Sequence, residues 1–159
     1  MVEVIEDLGE LENWMKHQNE LDIAWAAGFI DGEGCIRIAR VAHRGTPGRR
    51  RASLTYQLLL QANQTSIEPL EKLQKMFNGS ITKYDKGSHK TQWIWKVNTK
   101  EAEGVIKQLL PYLVVKRKQA EEALRFRELI NSNISRKPRS QETLDKMDGF
   151  YLRLKELKK

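Results

Sequence analysis

The chain has 159 residues, enough for one domain with a real core and too few for a large multidomain enzyme. A hydrophobic fraction of 40% excludes a disordered chain, and no apolar run approaches the length of a membrane span. A net charge of +7 and a pI near 9.5 point to a polyanionic partner.

Residues 1 to 18 carry Leu8, Leu11 and Trp14 at roughly helical spacing, which predicts a short leading helix. No basic-then-apolar signal peptide pattern precedes it, so a soluble, intracellular protein is expected. Asn19 then reads as the N-cap of a second helix, Glu20 to Asp31, about three turns long. Ala24, Gly28 and Gly32 recur every four residues and form a stripe with almost no side chain, against which another helix can pack closely. Trp25, Phe29, Ile23 and Ile30 fill a core on the remaining faces.

That helix ends in two acids, Asp31 and Glu33, set between glycines. A helix C-terminus already bears partial negative charge, so carboxylates there are unfavourable. Two such ends packed together crowd further, and a hard divalent cation with oxygen ligands relieves the crowding. The bare Asp-Gly-Glu-Gly pattern is ordinarily a turn with a solvated glutamate. The small-residue stripe upstream favours a metal site.

Beyond it, Ile36 and Ile38 alternate with Cys35, Arg37, Ala39 and Val41, the pattern of a strand. Cys35 is the only cysteine, so no internal disulfide is possible, and His17, His43 and His89 are too scattered for a zinc set. From Gly34 to Ile67 there are six arginines (Arg37, Arg40, Arg44, Arg49, Arg50 and Arg51) and no Asp or Glu, the composition of a phosphate-binding surface. The turn-rich, basic stretch 42 to 50 reads as a loop that settles on phosphates.

Residues 51 to 63 give the clearest strand. Leu54, Tyr56, Leu58, Leu60 and Ala62 share the core face. Ser53, Thr55, Gln57, Leu59, Gln61 and Asn63 share the other, a row of amide and hydroxyl groups of the kind that read base edges. Ile67 to Phe77 is an amphipathic helix with Pro69 in its first turn, stopped by Asn78 and Gly79. Strands from Ser80 to Asp85, with Thr82 and Tyr84, and from Thr91 to Asn98, with Gln92 and Lys96, form a hairpin across a turn containing Lys86. Trp93 and Trp95 alternate with polar neighbours and are assigned to the core rather than to base stacking. Thr99 is expected to cap a helix through Leu110, closed by Pro111. The segment Val114 to Ala120 leads into another helix that runs to about Ile130. A basic linker from Asn131 to Arg139 and a final helix capped by Ser140 complete the chain, with Leu144, Met147, Tyr151 and Leu154 on one stripe and Gly149 weakening it.

The segment Ala26-Ala27-Gly28-Phe29-Ile30-Asp31-Gly32-Glu33-Gly34 resembles the signature of the LAGLIDADG homing endonucleases. The resemblance covers roughly residues 20 to 130 and occurs once in the chain. It implies an α+β fold with an αββαββα core, extra helices at both ends, and antiparallel sheets forming a DNA-binding saddle. It further implies a homodimer joined through Ala24, Gly28, Asp31 and Gly32. Glu33 takes the place of the acid that binds the catalytic metal, usually Asp in the family, while Asp31 matches the capping acid. Gln64 matches a glutamine that orders solvent around the nucleophile, and Lys116 a lysine that enters the same pocket.

The expected activity is a site-specific, staggered double-strand cut in a long, near-palindromic DNA target. The expected cofactor is Mg²⁺ or another divalent cation such as Mn²⁺, held by Glu33 and the Gly32 carbonyl. The DNA contacts are expected from Arg37, Arg40, Arg44, Arg49, Arg50, Arg51, Ser53, Thr55, Gln57, Gln61, Thr82, Tyr84, Lys86, Gln92 and Lys96. The alternatives are an RNA-binding maturase and a non-catalytic DNA-binding regulator on the same fold.

Overall fold

The computed structural model describes residues 8–48, 53–85, 87, 89–134 and 137–159. Helix α1 runs without interruption from Leu8 to Glu33. The separate leading helix and the Asn19 cap are therefore corrected: Asn19 lies inside one 26-residue helix. The physical reason is plain, since Met15 to Glu20 contains neither Gly nor Pro. A capping residue starts a helix only where the chain has some reason to be non-helical just before it.

Strand β1 (Gly34–His43) follows α1 with no connecting residue. This abrupt change of direction requires glycine at position 34. A Cβ there would lie 2.7 Å from both the carbonyl oxygen and Cγ2 of Ile30. Strand β2 (Ser53–Gln64) pairs antiparallel with β1 along its whole length, from Gly34 opposite Ala62 to His43 opposite Ser53. Helix α2 (Glu68–Phe77), strand β3 (Ser80–Tyr84) and strand β4 (Gln92–Asn98) come next. The sheet order is β1-β2-β4-β3. Because β4 pairs with β2 only over Leu59–Gln64, the first half of β2 has a strand neighbour on one side alone.

Asn78 and Gly79 end α2 with positive φ angles of 59° and 92°. The turn brings the Asn78 carbonyl within 2.8 Å of Trp95 Nε1, which donates to it. Trp95 can thus be fully buried with its one polar atom satisfied. The two tryptophans of β4 lie on the core face, as expected from the alternation.

Helix α3 (Thr99–Leu109) starts differently from the sequence reading. The capping position belongs to Asn98, with extended backbone and no side-chain cap, and Thr99 lies inside the helix at φ 49°. A single 3-10 turn, Leu110–Tyr112, holds Pro111 and closes α3. Helices α4 (Arg117–Ser132) and α5 (Gln141–Glu156) follow, and Ser140 Oγ caps α5 by accepting from Thr143 N at 3.2 Å.

All five helices send apolar groups into one core on one face of the sheet. Ala26, Ala27 and Ile30 of α1 share this core with Leu70 and Leu73 of α2, Ile106 and Leu109 of α3, Phe126 of α4, and Met147 and Leu154 of α5. Ile36, Ile38, Leu58, Leu60, Trp95 and Val97 are the sheet's share. Among the described residues no helix covers the opposite face. The observed order, α1 β1 β2 α2 β3 β4 α3 with α4 and α5 appended, is the expected α+β architecture.

Candidate functional site

The C-terminal end of α1 holds Asp31 and Glu33, and the two acids are treated differently. Asp31 is half-buried and its carboxylate is fully engaged. Oδ2 accepts from Val114 N at 2.8 Å and Oδ1 from Lys116 N at 2.9 Å. Lys116 Nζ reaches back to donate to the Asp31 carbonyl oxygen at 2.5 Å, neutralising an orphan carbonyl of the helix end. These three bonds pin the start of α4 to the end of α1. They also place the Lys116 ammonium beside the motif.

Glu33, by contrast, is exposed. Gln64, the last residue of β2, lies two positions beyond Ala62, which pairs with Gly34. That register puts it at the end of the sheet where α1 finishes. Its Oε1 accepts from Thr65 N at 2.8 Å and Thr65 Oγ1 at 3.2 Å, which leaves the amide nitrogen as the donor. Glu33, Lys116 and Gln64 thus converge on one end of the molecule, though 31 and 52 residues separate consecutive members in the chain. A further cation joins them: Lys158 Nζ lies 3.2 Å from Cys35 Sγ. Nothing in the sequence marks Lys158, because only the packing of α5 brings the C-terminus there.

Among the described residues, no group of three or more His, Cys, Asp or Glu side chains is placed to hold a metal ion. One chain therefore offers the exposed Glu33 carboxylate and the Gly32 carbonyl, hard oxygen donors suited to Mg²⁺ but too few to satisfy it. Gly28 and Gly32 are exposed, and a Cβ built at either meets nothing within 4 Å. The small-residue stripe consequently faces open space.

The open face of the sheet begins beside this end. Its residues follow from the register: Cys35, Arg37, Ala39, Val41 and His43 on β1, and Ser53 through Asn63 at alternate positions on β2. Gln92, Ile94 and Lys96 on β4 and Ser80, Thr82 and Tyr84 on β3 complete it. None of these residues is an acid. Arg37, Gln57, Gln61, Lys96, Gln92, Thr82 and Tyr84 therefore share one surface. Ser53 and Thr55 share its far end, where His43 Nε2 lies 3.0 Å from Thr55 Oγ1. Leu59 sits among them yet is 7% exposed. Arg44 follows directly after β1 and is exposed. Arg49, Arg50, Arg51 and Lys86 lie outside the described residues.

Arg40 is a correction. It has the parity of Ile36 and Ile38, so it points to the helix side, where its Nη1 donates to Asp148 Oδ1 of α5 at 2.8 Å. Its guanidinium lies 5.0 Å from the Tyr151 ring centre. Tyr56 Oη donates to the same carboxylate oxygen at 2.9 Å. The hydrogen bonds from Arg40 and Tyr56 hold the Asp148 carboxyl below its ordinary value, and the Asp148 hydrogen bond and charge raise that of Arg40. Counting arginines in a basic stretch had ignored the strand period of two.

Two basic residues that the sequence reading left in a linker stand against the far end of β2. A hollow of about 490 Å³ is lined there by Ser53, Thr55, Lys137, Arg139 and Leu144, among others. It lies on the side of β2 that lacks a strand neighbour.

A family model for LAGLIDADG endonucleases matches residues 26–129, well over half of the chain. The chain belongs to this family. Comparison with curated proteins by sequence returns no match. Among solved structures, the homing endonuclease I-CvuI in complex with its target resembles this chain with a TM-score of 0.73 at 22% identity, covering 89% of this chain and 84% of that one. The archaeal intron-encoded homing endonuclease I-Vdi141I, complexed with DNA, gives a TM-score of 0.69 at 15% identity over 87% and 84%. The LAGLIDADG homing endonuclease I-GzeII, in complex with a DNA target, gives 0.64 at 19% identity, with 81% of this chain matching only 43% of that one. The fold of this LAGLIDADG endonuclease is thus shared with proteins seen on DNA. Among its described residues no helix is long and apolar enough to cross a membrane.

Proposed function

We propose that this LAGLIDADG endonuclease makes a metal-dependent, staggered double-strand cut in a long, near-palindromic DNA target, and that its working form is a homodimer. The observation that carries this reading is the pairing at the end of α1: an exposed acid, Glu33, next to a lysine that Asp31 holds in place. Family membership of residues 26–129 supports the endonuclease class. The match of this chain to less than half of I-GzeII supports a two-copy arrangement, since one motif per chain supplies half a site.

In the dimer, the stripe of Ala24, Gly28 and Gly32 brings two α1 helices together, and Asp31 and Gly32 lie at their closing end. Glu33 and the Gly32 carbonyl of each copy would hold the divalent cation there. When bound there, Mg²⁺ or Mn²⁺ lowers the pKa of a water and stabilises charge on the attacked phosphate. The chain's own residues do the rest. Gln64 orients the attacking water through its amide nitrogen, and Lys116 offsets negative charge as the phosphate becomes pentacovalent. The acid-free face of the sheet lies along the duplex, with Arg37, Arg44 and Lys96 on phosphates and Gln57, Gln61, Thr82 and Gln92 toward base edges. The protein's two-fold axis accounts for the near-palindrome.

The test uses wild-type, Glu33→Gln and Glu33→Asp proteins on DNA carrying the intronless form of the host gene, with and without Mg²⁺. The wild type cuts both strands, the Asp variant retains part of the activity, and the Gln variant binds without cutting. A Gln variant that cuts at the wild-type rate would sink the mechanism. Absence of any cutting, combined with tight binding of intron RNA, would turn the reading to a maturase.

A further inference from the structure

Helix α5 follows β1 from the far end of the sheet to the motif. Leu144 lines the far hollow with Ser53 and Thr55. Asp148 accepts from Arg40 and Tyr56 further along, and Lys158 Nζ donates to Cys35 Sγ at the motif end. The two elements keep pace with each other. Asp148 to Lys158 covers about 15 Å at a helical rise, and Arg40 to Cys35 about 17 Å at the rise of a strand. The tail is fixed a second time, from α4. The Leu157 carbonyl accepts from Nε2 of Gln119 at 3.4 Å, and Gln119 is buried one helical turn beyond Lys116. Two elements therefore deliver Lys158 to a set place.

That place is the corner where the end of α1 meets the open face of the sheet. Lys116 is anchored at Asp31 and Lys158 at Cys35, so Glu33 lies in the chain between the two anchor points. Cys35 stands opposite Gln61, and Gln61 opposite Lys96, so Lys158 begins a row that crosses the open face. A lysine at a helix end is ordinarily explained by the carbonyl dipoles there. Lys158 instead reaches across to β1. Other cations of this helix and its tail find acids: Lys146 pairs with Glu142, Arg153 with Glu122, and Lys159 with Glu156. Among the described residues no carboxylate pairs with Lys158. An ammonium carries three donors, and a thiol sulfur is a weak acceptor for one of them. The charge and the other donors are left for an anion.

We infer that Lys158 binds a backbone phosphate of the DNA next to the one attacked at Glu33, as a further substrate-contacting residue of the nuclease end. The inference rests on the endonuclease reading above and extends that site by a residue from beyond α5. Cys35 is the rest that holds the ammonium at the surface until DNA arrives. A phosphate oxygen then takes the place of the sulfur, because a charge-assisted bond between ammonium and phosphate is far stronger. The contact is the same before and during the reaction, so it favours substrate and transition state alike. Lys116, beside the reacting phosphate, acts on the chemical step instead.

The experiment compares the full chain as wild type, Lys158→Gln, Lys158→Arg and Lys159→Gln. Both lysines are exposed, so the fold is kept, which circular dichroism checks. The first probe is a random-sequence duplex titrated without metal over a range of salt. Lys158→Gln lowers the slope of log affinity against log salt by about 0.9, and Lys158→Arg restores it. Lys159→Gln, whose cation is held by Glu156, leaves the slope unchanged. On DNA carrying the intronless form of the host gene, with Mg²⁺, Lys158→Gln raises KM about tenfold and leaves kcat nearly as it was. A tether reports position: in a Cys35→Ser background, an iron–EDTA group attached through Lys158→Cys cuts the DNA by radicals with Mg²⁺ withheld. Those cuts fall within a few base pairs of the wild type's own cut, mapped on the same DNA. An unaltered slope and KM for Lys158→Gln would overturn the contact and leave the endonuclease reading standing. Radical cuts confined to the outer ends of the site, or a fall in kcat with KM unchanged, would overturn it equally. If the wild type makes no cut, the endonuclease reading fails and the placement of Lys158 falls with it, even where the salt slope still drops.

Discussion

Asp31 and Glu33 differ by one methylene and two positions, yet the structure gives them opposite work. Asp31 accepts two backbone N–H groups across 83 and 85 residues of sequence, so it acts as a clasp. Charge-assisted bonds of this kind contribute about 1.5–3 kcal/mol when a group is shielded. Asp31→Asn keeps one acceptor and loses the charge, so stability should fall by roughly 1–2 kcal/mol in denaturant titrations. Cleavage should fall with it, because Lys116 loses its anchor. Arg37 and Arg40 make a second instructive pair. Arg37→Ala should weaken DNA binding and reduce the salt slope by about 0.9. Arg40→Ala should leave that slope unchanged and lower the melting temperature, because its partner is Asp148 and not a phosphate. Equal slopes for wild type and Arg37→Ala would remove Arg37 from the interface. The motif itself was legible from residue types, because acids at a helix C-terminus are conspicuous. Arg40 was misread because strand parity, and not composition, decides which way a side chain points.

At the scale of elements, the junction between α1 and β1 is the least forgiving point in the chain. Gly34→Ala places a methyl group 2.7 Å from backbone Ile30 O, an atom that cannot rotate away. The expected result is a loss of several kcal/mol, or failure to fold, seen by calorimetry. A Gly34→Ala protein as stable as wild type would mean that the helix and strand are not joined so tightly. Helix α5 depends on Asp148, whose carboxyl is held low first by its hydrogen bond from Arg40 and then by that from Tyr56. A depressed carboxyl contributes stability above the ordinary value of about 3.9, and the contribution fades as pH falls through the depressed value. Asp148→Asn should therefore melt earlier than wild type at neutral pH, and the two curves should converge in strong acid. Both strands of the hairpin, the long β2, α2 and α5 were readable from apolar period. The fusion of the first two expected helices was not. Residues 15 to 20 contain both a plausible cap and an unbroken helical composition, and all six are exposed in the single helix, so no packing marks a boundary there.

On the scale of the whole molecule, the proposed chemistry and the proposed recognition occupy different places. The candidate nuclease end is assembled from α1, β2 and α4, while the open face of the sheet carries polar and basic groups without a single acid among its described residues. With a net charge of +7, the chain's binding of nonspecific DNA should depend steeply on salt. The pairing of β2 with β1 has one more consequence. From Ser53 to Asn63 the outward side chains of β2 span about 34 Å, and a duplex rises about 3.4 Å per base pair. Laid along DNA as proposed, the strand would be a ruler about ten base pairs long, with a graduation at every second pair except at the buried Leu59. Substituting one outward residue rewrites one graduation and leaves the others in place. Inserting one residue turns every later side chain from the open face to the core. A lineage built on such a ruler can drift to new targets by point mutation, and it is barred from doing so by changes in strand length.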